Sequence, residues 1–477
     1  MRTIFAVIAS LLLLQPFAAS AQDSKAALQK VAGALGADIT SSVVIIGSGV
    51  QWQAGQAKTP GMAWPKFNAK SFTRSINYDT AAMRDEIIRT QAENPPQGGG
   101  VQPVRGEVRQ IFLVAKDLAW NMVGDVPAPA PIALAERQFQ LWTTPHGIVK
   151  AALAGKGQMQ GRTISIAEPG KFKADASVNE QGLIDRVVGV IPSTVVGDMT
   201  VEITYSDYKD YGGIKFPTKI KQSAGGYPTL DLTVDDMHPN MAFDVPVPAL
   251  VRAATTPYSR VTSQMVADGV WHIAGGSHNS VAIEMKDYVI VVEAPLNDER
   301  AMAVIMEVRQ LVPNKPIRYV VVSHHHFDHS GGLRAFASVN VDVISHEASQ
   351  AYLTKALSSP ATIAPDRLAK SGRVGTVEGV RGRRVINDGT RRVEIHSIEG
   401  VLHADDLLMV YLPKEKMLIE ADVYTPIAIG ATPPTPPSPF TVAFAGHLDK
   451  LKLPVEQILP LHGRVVTFGE LKRTLGR

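Results

Sequence analysis

Apolar and polar residues alternate along much of the first half of the chain, a pattern that predicts β-strands. The clearest case is residues 199–222, where Gly212-Gly213 separates two strand-like runs and predicts a hairpin. Residues 230–234 alternate in the same way. After an initial helix, residues 22–257 are therefore predicted to form a mainly β domain. No nucleophile, metal or phosphate motif is found in it, and the isolated His146 is interpreted as structural.

The pattern changes in the second half of the chain. Residues 301–312 place apolar side chains at helical spacing, whereas residues 317–324 and 341–346 are short apolar strands. Gly331-Gly332 precedes a further helix. Strands that alternate with helices indicate an α/β domain, which we assign to residues 258–477 because a proline-rich connector precedes it.

Composition narrows the possible functions. The 477 residues suffice for two or three domains, and the net charge of +3 is spread along the chain, which does not favour nucleic-acid binding. The densest basic run, residues 381–392, is interpreted as a solvated hairpin edge. Because the chain has no cysteine, disulfides, thiolate metal sites and cysteine nucleophiles are excluded.

The first 21 residues have the pattern of a secretory signal peptide. Arg2 precedes an apolar run over residues 4–14, and Ala19 and Ala21 fit the small-residue cleavage pattern. The apolar run is too short to span a bilayer. We therefore expect cleavage after Ala21, no stable membrane insertion afterwards, and a periplasmic or secreted protein.

The strongest chemical signal is the segment SHHHFDHSGG, residues 323–332, which holds 4 of the 13 histidines. In an extended segment His324, His326 and Asp328 would point the same way, and His329 would join them only if the chain turns. Imidazole and carboxylate ligands without thiolate suit zinc, with iron or manganese as alternatives. A loose metal-scavenging tract is less consistent with the position of this segment between a strand and a helix.

This segment resembles the His-x-His-x-Asp-His signature of the metallo-β-lactamase superfamily, in its dinuclear hydrolase form. The resemblance extends over about residues 265–470, because His403, Asp422 and His462 follow in the expected order beside strands. It implies a four-layer αββα sandwich at the C-terminus, preceded by the mainly β domain. It also implies two zinc ions per chain.

The resemblance implies a role for each matching residue. His324, His326 and His403 would bind one zinc ion. Asp328, His329 and His462 would bind the second, and Asp422 would bridge both. Glu293 occupies a position where the family usually has aspartate, and would hold a ligand in place without binding metal.

The implied function is that of an exported zinc-dependent hydrolase, in which a metal-bound hydroxide attacks an ester, lactone, thioester or amide bond of a small molecule. Asp328 would pass a proton to the leaving group, and Tyr424 would either donate a hydrogen bond to the substrate or serve only in packing. The proline-rich loop after Asp422 is expected to border the substrate pocket. Alternatives are a β-lactamase-like activity, a mononuclear-iron sulfur oxygenase, and an envelope binding protein with an inactive catalytic domain. The sequence does not indicate an oligomeric state.

Overall fold

The computed structural model of the protein describes residues 15–100, 102–254 and 260–477, with side chains described from residue 23 onward. The predicted signal peptide lies mostly outside these residues, as does the predicted domain boundary between residues 257 and 258. Within the described part of the chain, no helix is both long and apolar enough to cross a membrane.

The first half of the chain forms one antiparallel sheet, which confirms the prediction of a mainly β domain. Its strands are β1 (Ser42–Trp52), β2 (Lys66–Asn77), β3 (Ala82–Gln91), β4 (Val108–Ala115), β5 (Leu118–Val123), β6 (Val126–Pro129), β7 (Gly157–Gln160), β8 (Thr163–Glu168), β9 (Phe172–Val178), β10 (Ile184–Ser193), β11 (Gly197–Asp210), β12 (Lys215–Ala224) and β13 (Tyr227–Pro239). In the described residues these 13 strands have the order β6-β5-β4-β3-β2-β1-β13-β12-β11-β10-β9-β8-β7. The predicted hairpin is the β11–β12 pair.

Four helices accompany this sheet in the described residues: α1 (Gln15–Leu35), α2 (Leu134–Trp142), α3 (Pro145–Ala151) and α4 (Ala249–Ala253). Because side chains alternate between the two faces of a strand, one face of the sheet packs against these helices. In β9, Phe172, Ala174 and every second residue thereafter are buried. Leu28 of α1, Phe139 of α2 and Ile148 of α3 pack into the same core as these strand residues.

His146 of α3 lies in the interior of this domain and is 0% exposed. Its Nε2 atom is 3.2 Å from the Leu35 carbonyl oxygen, and its ring stacks on Phe216. Burial lowers the pKa of His146 to about 4. The unfolded chain, with an ordinary histidine pKa of about 6.5, therefore binds the proton more tightly than the folded chain.

The stabilisation that depends on neutral His146 should be complete above about pH 6.5 and lost as the pH falls toward 4. At about 1.36 kcal/mol per pH unit, the loss approaches about 3 kcal/mol. The free energy of unfolding should be measured with urea at pH 7.5 and at pH 4.5. Its decrease between these two pH values should be smaller for His146→Asn than for the wild-type protein. An equal change in both proteins would contradict this prediction.

The second half of the chain contains two mixed sheets in its described residues. The first has the order β14 (Thr262–Ala267), β15 (Val270–Ala274), β16 (Ser280–Glu284), β17 (Val289–Val292), β18 (Ile317–Val321), β19 (Asp342–His346) and β20 (Val377–Val380). The second has the order β21 (Arg383–Asn387), β22 (Arg392–Ser397), β23 (Leu408–Leu412), β24 (Met417–Glu420), β25 (Gln457–Pro460) and β26 (Val466–Thr467). The helices are α5 (Asp298–Leu311), α6 (Phe327–Ser330), α7 (Leu333–Ser338), α8 (Glu347–Ser358), α9 (Arg367–Ser371), α10 (Pro439–Leu451) and α11 (Phe468–Thr474).

Three separate cores show that this domain has four layers. Val289 and Val291 of β17 face α5 and α7, whereas Ile290 and Val292 face the second sheet. The far side of the second sheet packs against α10 and α11, for example through Phe444. Both faces of the central strands are buried, which explains their nearly continuous apolar sequence. The predicted αββα sandwich is confirmed.

Two segments of the second half differ in detail from the predictions made for them. The strand predicted over residues 317–324 ends at Val321, and the chain then forms the short helix α6, which the sequence pattern did not predict. The basic run 381–392 spans β21 and the turn to β22, at the predicted hairpin edge, but Arg391 is buried and not solvated, and donates to the Gly269 (2.8 Å) and Glu284 (2.9 Å) carbonyls.

Candidate metal centre

The predicted metal ligands converge where strands of the two sheets end. His324 and His326 follow β18, Asp422 follows β24, and His462 follows β25. His403 lies in the loop that leads into β23. Both β17–β18 and β24–β25 are parallel pairs, so their carboxyl ends meet at the same edge of each sheet. Because loops at this edge are free of strand pairing, side chains from distant segments can meet there.

A first group of side chains consists of His324, His326, His403 and Asp422, with ligand atoms that all lie within 4.8 Å of one another. The Nε2 atom of His324 is 2.9 Å from Nδ1 of His326 and 3.2 Å from Nε2 of His403. All three histidines are buried. This is the ligand set that the sequence predicted for one metal ion, together with the predicted bridging aspartate.

The second group consists of Asp328, His329, His462 and His278. The Nε2 atoms of His329 and His462 are 3.3 Å apart, and His278 Nε2 is 3.3 Å from Asp328 Oδ2. The sequence analysis did not assign His278 to the site. It lies in a loop after β15.

Asp422 lies between the two groups. Its Oδ2 atom is 3.0 Å from Nε2 of His403 and 3.2 Å from Nε2 of His329, while Oδ1 is 2.8 Å from Nε2 of His462. One carboxylate therefore contacts ligands of both groups, which is the position required to bridge two metal ions. Among the described residues, these two groups are the clusters able to hold a metal ion.

Hydrogen bonds outside the groups fix how the imidazoles face inward. His326 donates from Nε2 to the Ala57 carbonyl (2.7 Å), and His462 donates from Nδ1 to the Ser277 carbonyl (2.8 Å). His329 donates from Nδ1 to the buried carboxylate of Glu293 (2.9 Å), which is the role predicted for Glu293. In the neutral form, the other ring nitrogen of each histidine presents a lone pair to the centre. Several lone pairs that converge within about 3 Å repel one another unless a cation binds between them, so the donor set fits a metal ion.

The electrostatics of the centre also favour a cation. Burial lowers the pKa of His324 and His326 well below the ordinary value, so both are neutral at pH 7, the form that binds metal. Burial would raise the pKa of Asp422, but the surrounding imidazoles, first that of His329, lower it well below its usual range. Burial would lower the pKa of His329, but nearby carboxylates, first that of Asp422, raise it. A metal ion would replace the proton that His329 and Asp422 otherwise share.

The extended-chain argument was wrong about Asp328. It grouped Asp328 with His324 and His326, but Asp328 lies with His329 in the second group. The physical reason is helix α6, which begins at Phe327 and turns the chain directly after His326. The grouping implied by the family resemblance agrees with the structure.

The structure does not bring Tyr424 to the centre. Its side chain is 2% exposed and packs with Phe444 and Leu471 in the core between the second sheet and its helices. Asp422 has a positive φ of 64°, and the chain turns there. The predicted hydrogen bond from Tyr424 to a substrate has no geometric basis in this arrangement, and the alternative role in packing agrees with it.

Residues of the N-terminal domain reach the centre. The Gln56 amide donates from Nε2 to Asp328 Oδ1 (2.7 Å), in addition to the bond between Ala57 and His326. The Phe327 amide donates to the Gly55 carbonyl (3.1 Å). The sequence analysis found no chemical motif in this domain and did not predict these contacts.

An apolar groove of about 790 Å³ lies between residues of the N-terminal domain and the proline-rich loop after Asp422. Its lining includes Pro96 and Pro103 from the N-terminal domain, and Pro436 and Val442 from the second half of the chain. Phe440, between Pro436 and Val442 in sequence, packs its ring 5.5 Å from that of His403. The proline-rich loop after Asp422 thus borders an apolar groove, and the expectation that this groove is the substrate pocket stays a prediction.

Comparisons with known proteins find similarity in the second half of the chain. Residues 273–469 match the family model of the metallo-beta-lactamase superfamily. Similar solved structures include a metallo-beta-lactamase from Pontibacter korlensis, 17% identical over 46% of this chain and 98% of that chain, with a TM-score of 0.35. Another is the metallo-beta-lactamase FIM-1 from Pseudomonas aeruginosa in its mono-zinc form, 19% identical over 45% of this chain and 93% of that chain, with the same TM-score. No curated protein matches the chain.

Proposed function

We propose that this chain, whose residues 273–469 form a metallo-beta-lactamase superfamily domain, is a zinc-dependent hydrolase with two metal ions at this centre. The observation that carries the proposal is the position of Asp422, which contacts histidines of both groups through its two oxygens. Two complete ligand groups on either side of one carboxylate argue against a mononuclear oxygenase, which needs only one group. Zinc suits the nitrogen and oxygen donors of both groups.

Bound zinc would supply the chemistry by lowering the pKa of water toward 7 and polarising the scissile carbonyl. The protein residues would hold and orient the reactants. Asp422 would fix the separation of the two ligand groups. Asp328 is held as a carboxylate, because His329 lowers its pKa against the opposing effect of burial. Its side chain is one-third exposed, so a leaving group can reach Oδ2, as the proton-transfer role proposed for Asp328 requires.

The groove between the domains supports a substrate with an apolar portion. Among the described residues its lining is mostly proline and aliphatic, with Arg105 as the one charged residue, which donates to the Pro436 carbonyl. Esters, lactones, thioesters and amides with an apolar group fit this lining better than a naked phosphate does. The signal peptide predicted from residues 1–21 would place the enzyme in the periplasm or outside the cell.

The test is hydrolysis by the mature protein, residues 22–477, of a lactone, a thioester, a β-lactam and a phosphodiester. Each would be measured with zinc bound, after chelation, and after zinc is restored. We expect one carbonyl class to be hydrolysed, with activity lost on chelation and regained with about two zinc ions per chain. Activity that survives complete chelation would contradict the proposal, as would a chain that binds fewer than two zinc ions when fully active.

A further inference from the structure

The N-terminal domain contacts two of the loops that carry metal ligands. Residues 55–59 lie against the loop of His324 and His326, and also against the loop that follows His403. The Asp405 amide donates to the Lys58 carbonyl (2.8 Å), and the Lys58 ammonium pairs with the Asp405 carboxylate (2.8 Å). From a neighbouring loop, the Gly98 amide donates to the Leu402 carbonyl (2.8 Å). A single surface of the N-terminal domain is therefore fitted to the metal centre.

The most specific of these contacts is made by Gln56. Its side chain is buried, and because a carboxylate only accepts hydrogen bonds, the amide must donate to Asp328. Space for the amide depends on Gly99, where an added Cβ would lie 1.9 Å from Gln56 Oε1. The same Cβ would lie 3.0 Å from the ring of His326. The glycine-rich loop thus holds the Gln56 amide against Asp328.

The main chain makes the second contact. Because a carbonyl oxygen can only accept, the Ala57 carbonyl places the proton of neutral His326 on Nε2. The Nδ1 atom, 2.9 Å from Nε2 of His324, is then left free to bind metal. Partners of this kind, which orient a metal ligand from behind, commonly change metal affinity by about 10- to 100-fold.

We propose that the N-terminal domain is part of the metal centre, with Gln56 as a positioning residue that holds Asp328 for the second metal ion. The inference rests on the proposed function, because it assumes that both groups bind metal. It assigns a role to a domain in which the sequence shows no chemical motif. Metal binding by the second group should depend on a side chain that lies 272 positions before its ligand in the sequence.

The test is titration of the metal-free mature chain with Co²⁺, followed by visible absorption and by competition with a chromogenic chelator. Gln56→Met keeps the length of the side chain and removes the amide. We expect it to lower the affinity for one of the two Co²⁺ ions by about 10-fold and to leave the affinity for the other unchanged. Gly99→Ala, which retains Gln56 but displaces its amide, should weaken binding of the same metal ion and gives a second test if Gln56→Met does not fold. Its added Cβ also meets the ring of His326, so selectivity between the two ions is judged from Gln56→Met.

Thr59→Val is the matched control, because the Thr59 hydroxyl bonds to Asp405 on the same contact surface and touches no metal ligand. It should bind both equivalents with the affinity of the wild-type chain. Wild-type affinity for both equivalents in Gln56→Met and Gly99→Ala would overturn the inference and leave the proposed function intact. Equal weakening in Thr59→Val would also overturn it, because the effect would then belong to domain contact in general. A wild-type chain that binds fewer than two Co²⁺ ions would instead refute the proposed function.

Discussion

Replacing Asp422 with asparagine should lower kcat/KM for the hydrolysed substrate by about 10³-fold, which corresponds to about 4 kcal/mol of transition-state stabilisation. Its Oδ2 atom contacts histidines of both groups and its Oδ1 atom contacts His462 of the second, so asparagine offers one neutral oxygen where two charged ones are needed. The amide NH₂ would also face the lone pairs of histidines, in place of a metal ion. We expect the metal content to fall from two ions per chain to one or fewer. Steady-state kinetics and elemental analysis of the purified variant measure both effects.

The control for this variant is Asp449→Asn, which makes the same chemical change at an exposed carboxylate of α10 that pairs with Arg477. It should retain full activity and metal content. An Asp422→Asn protein that binds two zinc ions and keeps activity within 10-fold of wild type would remove the basis for a bridging role. Normal unfolding behaviour in both variants would show that a loss of activity arises at the centre and not from misfolding.

The ligands that follow buried strands were assigned through the family resemblance, and their positions at strand ends have a physical reason. A strand buried on both faces is a continuous apolar run, so polar residues at its end mark the edge of the sheet, as for Asp422 after β24 and His462 after β25. His278 could not be assigned to the centre from the sequence. Its loop follows β15, and the residues of β15 do not show where that strand lies in the sheet. The pairing of β15 with β16, and of β16 with β17, brings His278 beside Asp328, and this pairing is known only from the structure.

The contribution of the N-terminal domain could not be predicted either. Gln56 lies in a loop without periodicity, and its contact with Asp328 depends on how the two domains pack. Tyr424, for which a hydrogen bond to substrate and a role in packing were both open, shows that closeness in sequence to Asp422 does not imply closeness in space. A residue two positions after a ligand keeps the same direction only in an extended chain, and the chain turns at Asp422.

Replacing Asp406 with alanine should lower the free energy of unfolding of the C-terminal domain by about 3–5 kcal/mol. Asp406 is 0% exposed and accepts two hydrogen bonds from His325, one from the main-chain amide (2.9 Å) and one from Nδ1 (2.8 Å). His325 is buried between two metal ligands, so its loss of a partner leaves polar atoms unsatisfied in the interior. Urea unfolding of the metal-free wild type and variant gives the difference directly.

Three further variants separate two contributions to the free energy of unfolding. One is the cost of leaving His325 buried without a partner, and the other is the stabilisation by the pair of Asp406 and His325. Asp406→Asn keeps acceptor capacity and should lose less, about 1–3 kcal/mol. The double variant Asp406→Leu with His325→Phe removes both partners and should recover part of the stability lost in Asp406→Ala. Asp405→Ala, next in sequence but part-exposed, should change stability by less than about 1 kcal/mol. A loss below about 1 kcal/mol in Asp406→Ala would mean that water or a local rearrangement satisfies His325. The ligand loop would then be held by its metal ligands and not by this buried pair.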